Sequence, residues 1–576
     1  MWGNAKPTFS DLISNTHHQL IRQWSFRRSC SSTNGLGLFF ENGCSQASSL
    51  ATPIMETSSL STRAGMQDTP LETHDSEQIK QLGLGEFPVR PLSLFEEVLF
   101  VSTVVSVQFT AQLGVGQTLS ILHIIGSWFD VSNPGVLSWL IAGYSLTVGS
   151  FILPSGRMGD VFGYKRMLLI GLSWYTIWSM VAGLSVYSNH VLFIVARVLD
   201  GIGPSISLPN ALALLGASYP PGLKKQILFA LFAAASPAGI VGGAAPAGLF
   251  ALAWWPWTYW STAIALAFLT IAGSHAIPDP PCSKTSARIS SIKDAIRELD
   301  LVSATTGITA LVLINFAWNQ AVVVGWQEPY VYVTLVLGLL LTPIFFYVEI
   351  KVSTKPLIPL DAINSDVGFV LFCLACAWGC FGVWIYYIWQ QMEIINGLSP
   401  LLAAAWKSPV VPIGVVATIA AGYLTGRLHP ATLMIAAELF LLVSAILVVT
   451  SPPKQTYWAQ IFPCFLMAPF GLDLSFPAAT LMMSNSVSKE HQGVAASLVN
   501  TVVNYSIALG LGMAGTVEQH IVKGKRPSFE TTLEGYRAAW WFAIGFCGLG
   551  LVISIVFRIK VTLRERGSTG KDEVVV

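Results

Sequence analysis

Arg197 and Asp200 stand three residues apart in the apolar stretch VLFIVARVLDGIGPSISL. On a helix this spacing brings a guanidinium and a carboxylate to one face, where they neutralise each other. A charged side chain inside a membrane span costs at least about 2.5 kcal/mol on insertion scales, so it has either a partner or a task. The pair reads as a fixed tie, or as a switch in which protonation of Asp200 frees Arg197. Asp473 lies mid-run in GLDLSFPAA, one turn before Pro477, and is a candidate proton or substrate carboxylate. Lys407 precedes Pro409 and reads as an anion site, or as a lysine that snorkels outward past Pro400. Glu438 and His123 are weaker candidates near the ends of their runs. Gln108/Gln112, Asn315/Asn319 and Asn500/Asn504 are each spaced i, i+4. Such pairs either tie helices together or line a cavity. We take Gln108, Gln112, Asn500, Asn504 and the adjacent Tyr505, with Lys407, as candidate substrate contacts. Asn315/Asn319 read as structural, on a peripheral span.

A second kind of chemistry is concentrated in SGRMGDVFGYKRM, residues 155–167. Arg157, Asp160, Lys165 and Arg166 crowd between two greasy segments, although only 11% of the chain is charged. Gly156 and Gly163 permit tight turns beside packed helices. The cluster reads as a latch that pairs with a neighbouring helix end, or as a plain positive loop with one solvated aspartate.

These residues need long apolar elements to position them. Of the 576 residues 53% are hydrophobic, and the mean hydropathy of +0.60 is that of a membrane chain rather than a string of soluble domains. Continuous runs of about 20 residues can cross a hydrocarbon core of about 30 Å as helices. About fourteen such runs fall between residues 98 and 557, so the expected fold is an all-α membrane protein with about 14 transmembrane helices. Net charge is +1, and no basic stripe with interleaved aromatics suggests nucleic acid. Cys373, Cys376 and Cys380 share one helix face, but no His or carboxylate joins them in the run, so no metal site is expected. No HExxH motif, His cluster or nucleophile–base pair suggests an enzyme. No cofactor is implied.

Residues 1–94 are rich in Ser, Thr and His and read as a disordered tail without a cleavable signal. Met55 offers an alternative start that would leave residues 1–54 outside the native protein. Lys and Arg cluster in every second loop and in the C-terminal tail, which places both termini in the cytoplasm. The polar segment 278–298 reads as a cytoplasmic loop between halves. The motif GPSISLPNA at 203–211 is echoed by GLDLSFPAA at 471–479. This repeat predicts two pseudo-symmetric six-helix bundles, 95–277 and 351–560, with two inserted helices at 299–350 and a tail at 561–576. Such halves suit alternating access around a midplane site.

The spacing Gly156-x3-Asp160-x2-Gly163-x-Lys165-Arg166 resembles the signature between the second and third spans of the major facilitator superfamily. Arg197-x2-Asp200-Gly201-x-Gly203 resembles its fourth-span motif. SPAGIVGGAAPAG at 236–248 resembles the antiporter-type motif, through Pro237, Gly239, Gly242 and Gly243, with glycines out of the usual register. AQLGVGQTLSIL, LPNALALLGASYPPG, LAWWPWTYW and the block from Leu472 to Glu518 extend the likeness over roughly residues 95–560. They resemble the fourteen-span drug:proton antiporters of fungi, of the aminotriazole-resistance and boron-export type. Two departures stand out: Asp200 occupies a position usually held by Gln, and the first span has no carboxylate, only Gln108, Gln112 and Gln117.

The resemblance implies a secondary transporter that exports a small toxic compound, drug or metabolite against inward protons, as a monomer in the plasma membrane. Asp160 would latch near Gln492–Gly493. Asp200 or Asp473 would carry the proton and Arg197 would tune it. An uptake permease and a non-transporting sensor are the alternatives.

Overall fold

Away from water only a helix or a closed barrel satisfies every backbone group, and these apolar runs become helices. The computed structural model describes residues 93–131, 133–219, 222–278, 298–353, 356–358, 365–486 and 492–572, with the side chains of 484–495 and 565–572 outside it. Among the described residues there are helices and no strands.

The first half comprises α1 (Leu94–Ser120), the short α2 (Leu122–Trp128), α3 (Pro134–Phe162), α4 (Tyr164–Leu184), α5 (His190–Asp200), α6 (Ile202–Ser218), α7 (Leu223–Ala251) and α8 (Trp257–Ala276). Two helices follow, α9 (Leu301–Val324) and α10 (Pro329–Tyr347). The second half comprises α11 (Ser365–Gln390), α12 (Pro400–Lys407), α13 (Val410–Thr425), α14 (Pro430–Val449), α15 (Ile461–Ser486), α16 (Gln492–Val522) and α17 (Phe529–Asp572).

Thirteen segments of the described residues are long and apolar enough to cross a membrane, with α5–α6 and α12–α13 each counting as one interrupted span. The helix α8 stands outside the thirteen, its first turns being WTYWST, yet its 20 residues reach about 30 Å. It packs against α1 and α4 as a member of the first bundle. The expectation of about fourteen spans therefore holds.

Local chemistry sets the helix starts. Ser93 and Glu96 form a reciprocal capping box on α1. Asn133 caps α3 ahead of Pro134, and Ser399 caps α12 ahead of Pro400. The last helix outruns its expected end near 557. Its basic stretch is anchored, with Lys560 Nζ 2.9 Å and Arg564 2.6 Å from the Asp366 carboxylate on α11.

The repeated motif packs the same way in both halves. Gly203 on α6 presses against Tyr175 and Gly171 of α4, and Gly471 on α15 presses against Leu441 and Ala437 of α14. Pro209 and Pro477 sit inside the corresponding helices.

The pair α1 and α7 packs closely, and glycines let it do so. A Cβ on Gly116 would lie 2.0 Å from the Ile240 carbonyl oxygen, and one on Gly243 would lie 2.4 Å from that of Leu113. The antiporter-type glycines Gly239 and Gly242 meet Phe109 and Gln112 on the same face.

Gly116→Ala should therefore force α1 from α7 at about 1–3 kcal/mol, the usual cost of overpacking. We expect a lower melting temperature by intrinsic fluorescence and less monodisperse protein. Gly422→Ala, with open space around its Cβ, should leave both unchanged.

Candidate functional site: a closed central cavity flanked by buried charges

Arg197 is fully buried at the end of α5 and is held from several sides. Its Nη1 lies 2.5 Å from Asp200 Oδ2, and its Nη2 donates to the Gly114 carbonyl at 2.7 Å. The guanidinium sits 4.5 Å from the ring centre of Tyr144 and 5.9 Å from that of Tyr259. Tyr144 is fixed in turn by its hydroxyl, which donates to the Ala111 carbonyl at 2.7 Å. Asp200 Oδ1 and Arg197 Nε have no hydrogen-bond partner among the described residues. The pair is thus tied on one side and unsatisfied on the other.

Tyr144 also forms part of the wall of the central cavity. This space is about 30 Å³, room for a water or two. It lies between the halves, where Gln112, Tyr144 and Ser145 face Phe381, Ile385 and Asn504. Gln112 and Asn504 are the expected cavity residues that the fold brings together. Gln108, Asn500, Tyr505 and Lys407 are not among the lining residues. Tyr505 turns away and donates to the Leu311 carbonyl of α9 at 3.1 Å. Tyr144 and Ser145 were missed, because helix rotation about α3 decides which residues face inward.

The halves touch on both sides of this cavity. Toward one end His123 Nε2 meets Gln390 Oε1 at 2.5 Å, and Gly248 on α7 backs onto Leu401 on α12. Toward the other, Gly156 on α3 approaches Ser497 on α16, and Pro237 on α7 approaches Gly414 on α13.

Asp473 on α15 lies close to that second contact. Its carboxylate is 3.9 Å from where a Gly414 Cβ would stand, the same point that meets Pro237 at 2.7 Å. Thr418, whose hydroxyl is otherwise without a partner, bears on it from α13. Lys407 is instead enclosed within the second bundle, with 1% of its surface exposed, so it does not snorkel. Glu438, also fully buried, accepts from the Cys547 thiol at 3.0 Å, and both it and Cys376 lie beside Gly550. A carboxylate thus does join the cysteine face, delivered from a distant helix. No group that could hold a metal occurs among the described residues. A further buried carboxylate, Glu518, accepts from Tyr387 at 2.6 Å. Nothing in its local sequence marked it.

The Asp160 cluster is less of a loop than its glycines suggest. Arg157 and Asp160 ride the last turns of α3, and the turn is confined to Gly163, whose φ of 96° suits glycine. Gly156 is helical, and its missing side chain serves the contact with Ser497. Asp160 accepts from the Tyr164 hydroxyl at 2.6 Å, and Arg157 Nε donates to the Glu298 carbonyl at 3.2 Å. The side chains at 492–493, the expected latch partners, lie outside the described residues.

Residues 98–511 match the model of the Major Facilitator Superfamily. This chain belongs to that superfamily. It is 45% identical to the low affinity ammonium transporter of Saccharomyces cerevisiae over 88% of this chain and 98% of that one. It is 40% identical to efflux pump terG of Aspergillus terreus, covering 82% and 88%. The aminotriazole resistance protein of S. cerevisiae is 33% identical, with 82% and 86% covered. Among solved structures, a peptide transporter superposes with a TM-score of 0.56 at 14% identity, covering 81% and 94%. A human organic anion transporter gives 0.52 at 16%, covering 80% and 99%. The facilitator fold is thereby shared. As a facilitator, the chain is a transporter rather than an enzyme and needs no cofactor.

In this facilitator the Arg197–Asp200 pair makes a sharp stability prediction. Asp200→Ala leaves a buried guanidinium without its counter-charge and should cost about 3–5 kcal/mol. Arg197→Met combined with Asp200→Leu should recover most of that loss in melting temperature.

Proposed function

We propose that the chain is a proton-coupled exporter of a small toxic compound, drug or metabolite, working by alternating access. The observation that carries this reading is the Arg197–Asp200 pair set directly behind Tyr144, which itself lines the closed cavity. A proton arriving on Asp200 would weaken its hold on Arg197 and loosen the Tyr144 wall. Asp473 stands at a contact between halves, where a change of charge would alter the fit of α13 against Pro237. Gln112 and Asn504 would contact substrate. The bundles 95–277 and 351–560 would rock about them, with Gly156, Arg157, Asp160, Gly163, Lys165 and Arg166 as the cytoplasmic gate. Lys and Arg placement supports cytoplasmic termini, and we assign the protein to the plasma membrane as a monomer. The efflux pump among its relatives supports export.

A second reading is uptake of a small cation, favoured by the 45% likeness to a low affinity ammonium transporter along nearly its whole length. The deciding measurement is accumulation of boric acid, methylammonium and a panel of fungicides in an efflux-deficient fungal host. For export we expect wild type to lower accumulation of at least one compound. An uncoupler should abolish the effect, and Asp473→Asn should reduce it at least tenfold in initial rate. Raised methylammonium accumulation would establish the second reading instead.

A further inference from the structure

Each half of the molecule encloses one cation between two aromatic rings. In the first half Arg197 lies between Tyr144 and Tyr259, with Asp200 as its counter-charge. In the second half Lys407 Nζ lies 5.0 Å from the ring centre of Trp384 and 5.1 Å from that of Trp389. It forms no hydrogen bond to a carboxylate among the described residues. Its Nζ is buried and has no hydrogen-bond partner among the described residues. The groups that face it are the indoles of α11 and the thiol of Cys464 on α15, itself bonded with Ser444 of α14. Glu438 and Glu518 are committed to Cys547 and Tyr387, while Glu393, on the turn that follows α11 and packs on α12, keeps a buried Oε1 without a hydrogen-bond partner among the described residues.

An ammonium here would have two ring faces and the carbonyl end of α12. It would lack the hydrogen bonds that a buried charge requires. A neutral amine is left unsatisfied there too, at a smaller cost than a charge. The enclosure therefore makes the proton on this amine sensitive to its surroundings.

The backbone around it is built to change those surroundings. Lys407 is the last residue of α12, and the span breaks immediately after it, at Ser408–Pro409. Pro409 has no N–H to continue the ladder. One face of α12 touches the opposite half, Leu401 against Gly248 of α7. The turn that carries Lys407 is held from above by Tyr457, whose hydroxyl donates to the Trp406 carbonyl at 2.7 Å and whose ring lies 4.8 Å from that of Trp406. Separation of α7 from α12 would thus work directly on the elbow that encloses the amine.

We infer that Lys407 is a second proton-binding group of the transport cycle, which takes a proton when the α12–α13 elbow opens toward Tyr457 and gives it up on the opposite side. The Nζ lone pair accepts the proton from hydronium, leaving water, and returns it to water later. The inference rests on the proton-coupled reading above.

The test has two arms, one independent of substrate. Purified full-length wild type, Lys407→Met and Lys407→Arg are melted in nanodiscs from pH 5 to pH 9. Wild type should gain several degrees over both variants as pH rises, since neither variant titrates there. Parallel curves overturn the inference. Should Lys407→Met fold poorly, Lys407→Gln replaces it in the same comparison. In the second arm, cells are assayed with whichever compound of the panel wild type moves. Uncoupler sensitivity should fall at least tenfold in Lys407→Met while downhill movement persists. Undiminished sensitivity overturns the carrier role even if the amine titrates. If wild type is itself insensitive to the uncoupler, the proton-coupled reading fails and this role fails with it, whatever the melting curves show.

Discussion

A guanidinium in the middle of a membrane protein has no water to turn to. Arg197 must find every favourable contact within the chain, and much of the first bundle is arranged to supply them. Asp200 comes from the same helix, one turn on. The Gly114 carbonyl is available because α1 carries no side chain there, and a Cβ at that point would lie 2.2 Å from the Tyr175 hydroxyl. Tyr144 and Tyr259 give ring faces from α3 and α8. Four helices are therefore positioned by one charge. The same requirement makes the site sensitive, because a change of one proton on Asp200 alters what every one of them is holding.

The second half meets the same physical problem with different parts. Two of its buried acids are bonded to weak acids, Glu438 to a thiol and Glu518 to a phenol. Its buried cation is enclosed by indoles rather than paired. The repeat is thus close in backbone, with Gly203 and Gly471 performing the same packing, and divergent in charge. Two bundles that match in shape can close against each other at both ends. Two that differ in charge need not respond to a proton in the same way, which lets one half sense what the other does not.

Much of this was readable beforehand, for definite reasons. A run of twenty apolar residues has few alternatives to a span, so even α8, with its tryptophan-rich start, was placed by length. The Arg197–Asp200 contact follows from spacing on one helix. Gln112 and Asn504 were found because a polar residue in such a run must face protein or water. The same logic named Gln108 and Asn500, which are not among the residues around this cavity, and Tyr505 and Lys407, which the fold engages elsewhere. Spacing orders residues around one helix but does not tell which neighbour that face meets. Hence the pairing of Glu438 with Cys547, more than a hundred residues apart, and the partners of Glu518 were out of reach. The helical continuation through Asp160 was hidden by Gly156, which serves close packing rather than a turn.

The inserted helices show the same limit from the other side. Asn315 and Asn319 read as structural ties on a peripheral span, yet both are fully buried. Asn319 donates to the Ala508 carbonyl of α16 at 3.3 Å. On the other flank Trp139 of α3 donates to Gln320 at 3.1 Å, and Gly135 of α3 backs onto Val322. The helix α9 therefore bonds both α3 and α16, the pair that meets across the two halves. A helix attached to only one bundle could ride with it. One attached to both would have to yield at one of these contacts if the bundles rock as proposed. The polar ties are few, Asn319–Ala508 and Tyr505–Leu311 toward α16 and Trp139–Gln320 and Asn133–Val323 toward α3, each worth about 1 kcal/mol net, and such bonds can be exchanged without dismantling the apolar packing around them. The insertion thus fits a hinge cover that follows the seam rather than a third domain beside it.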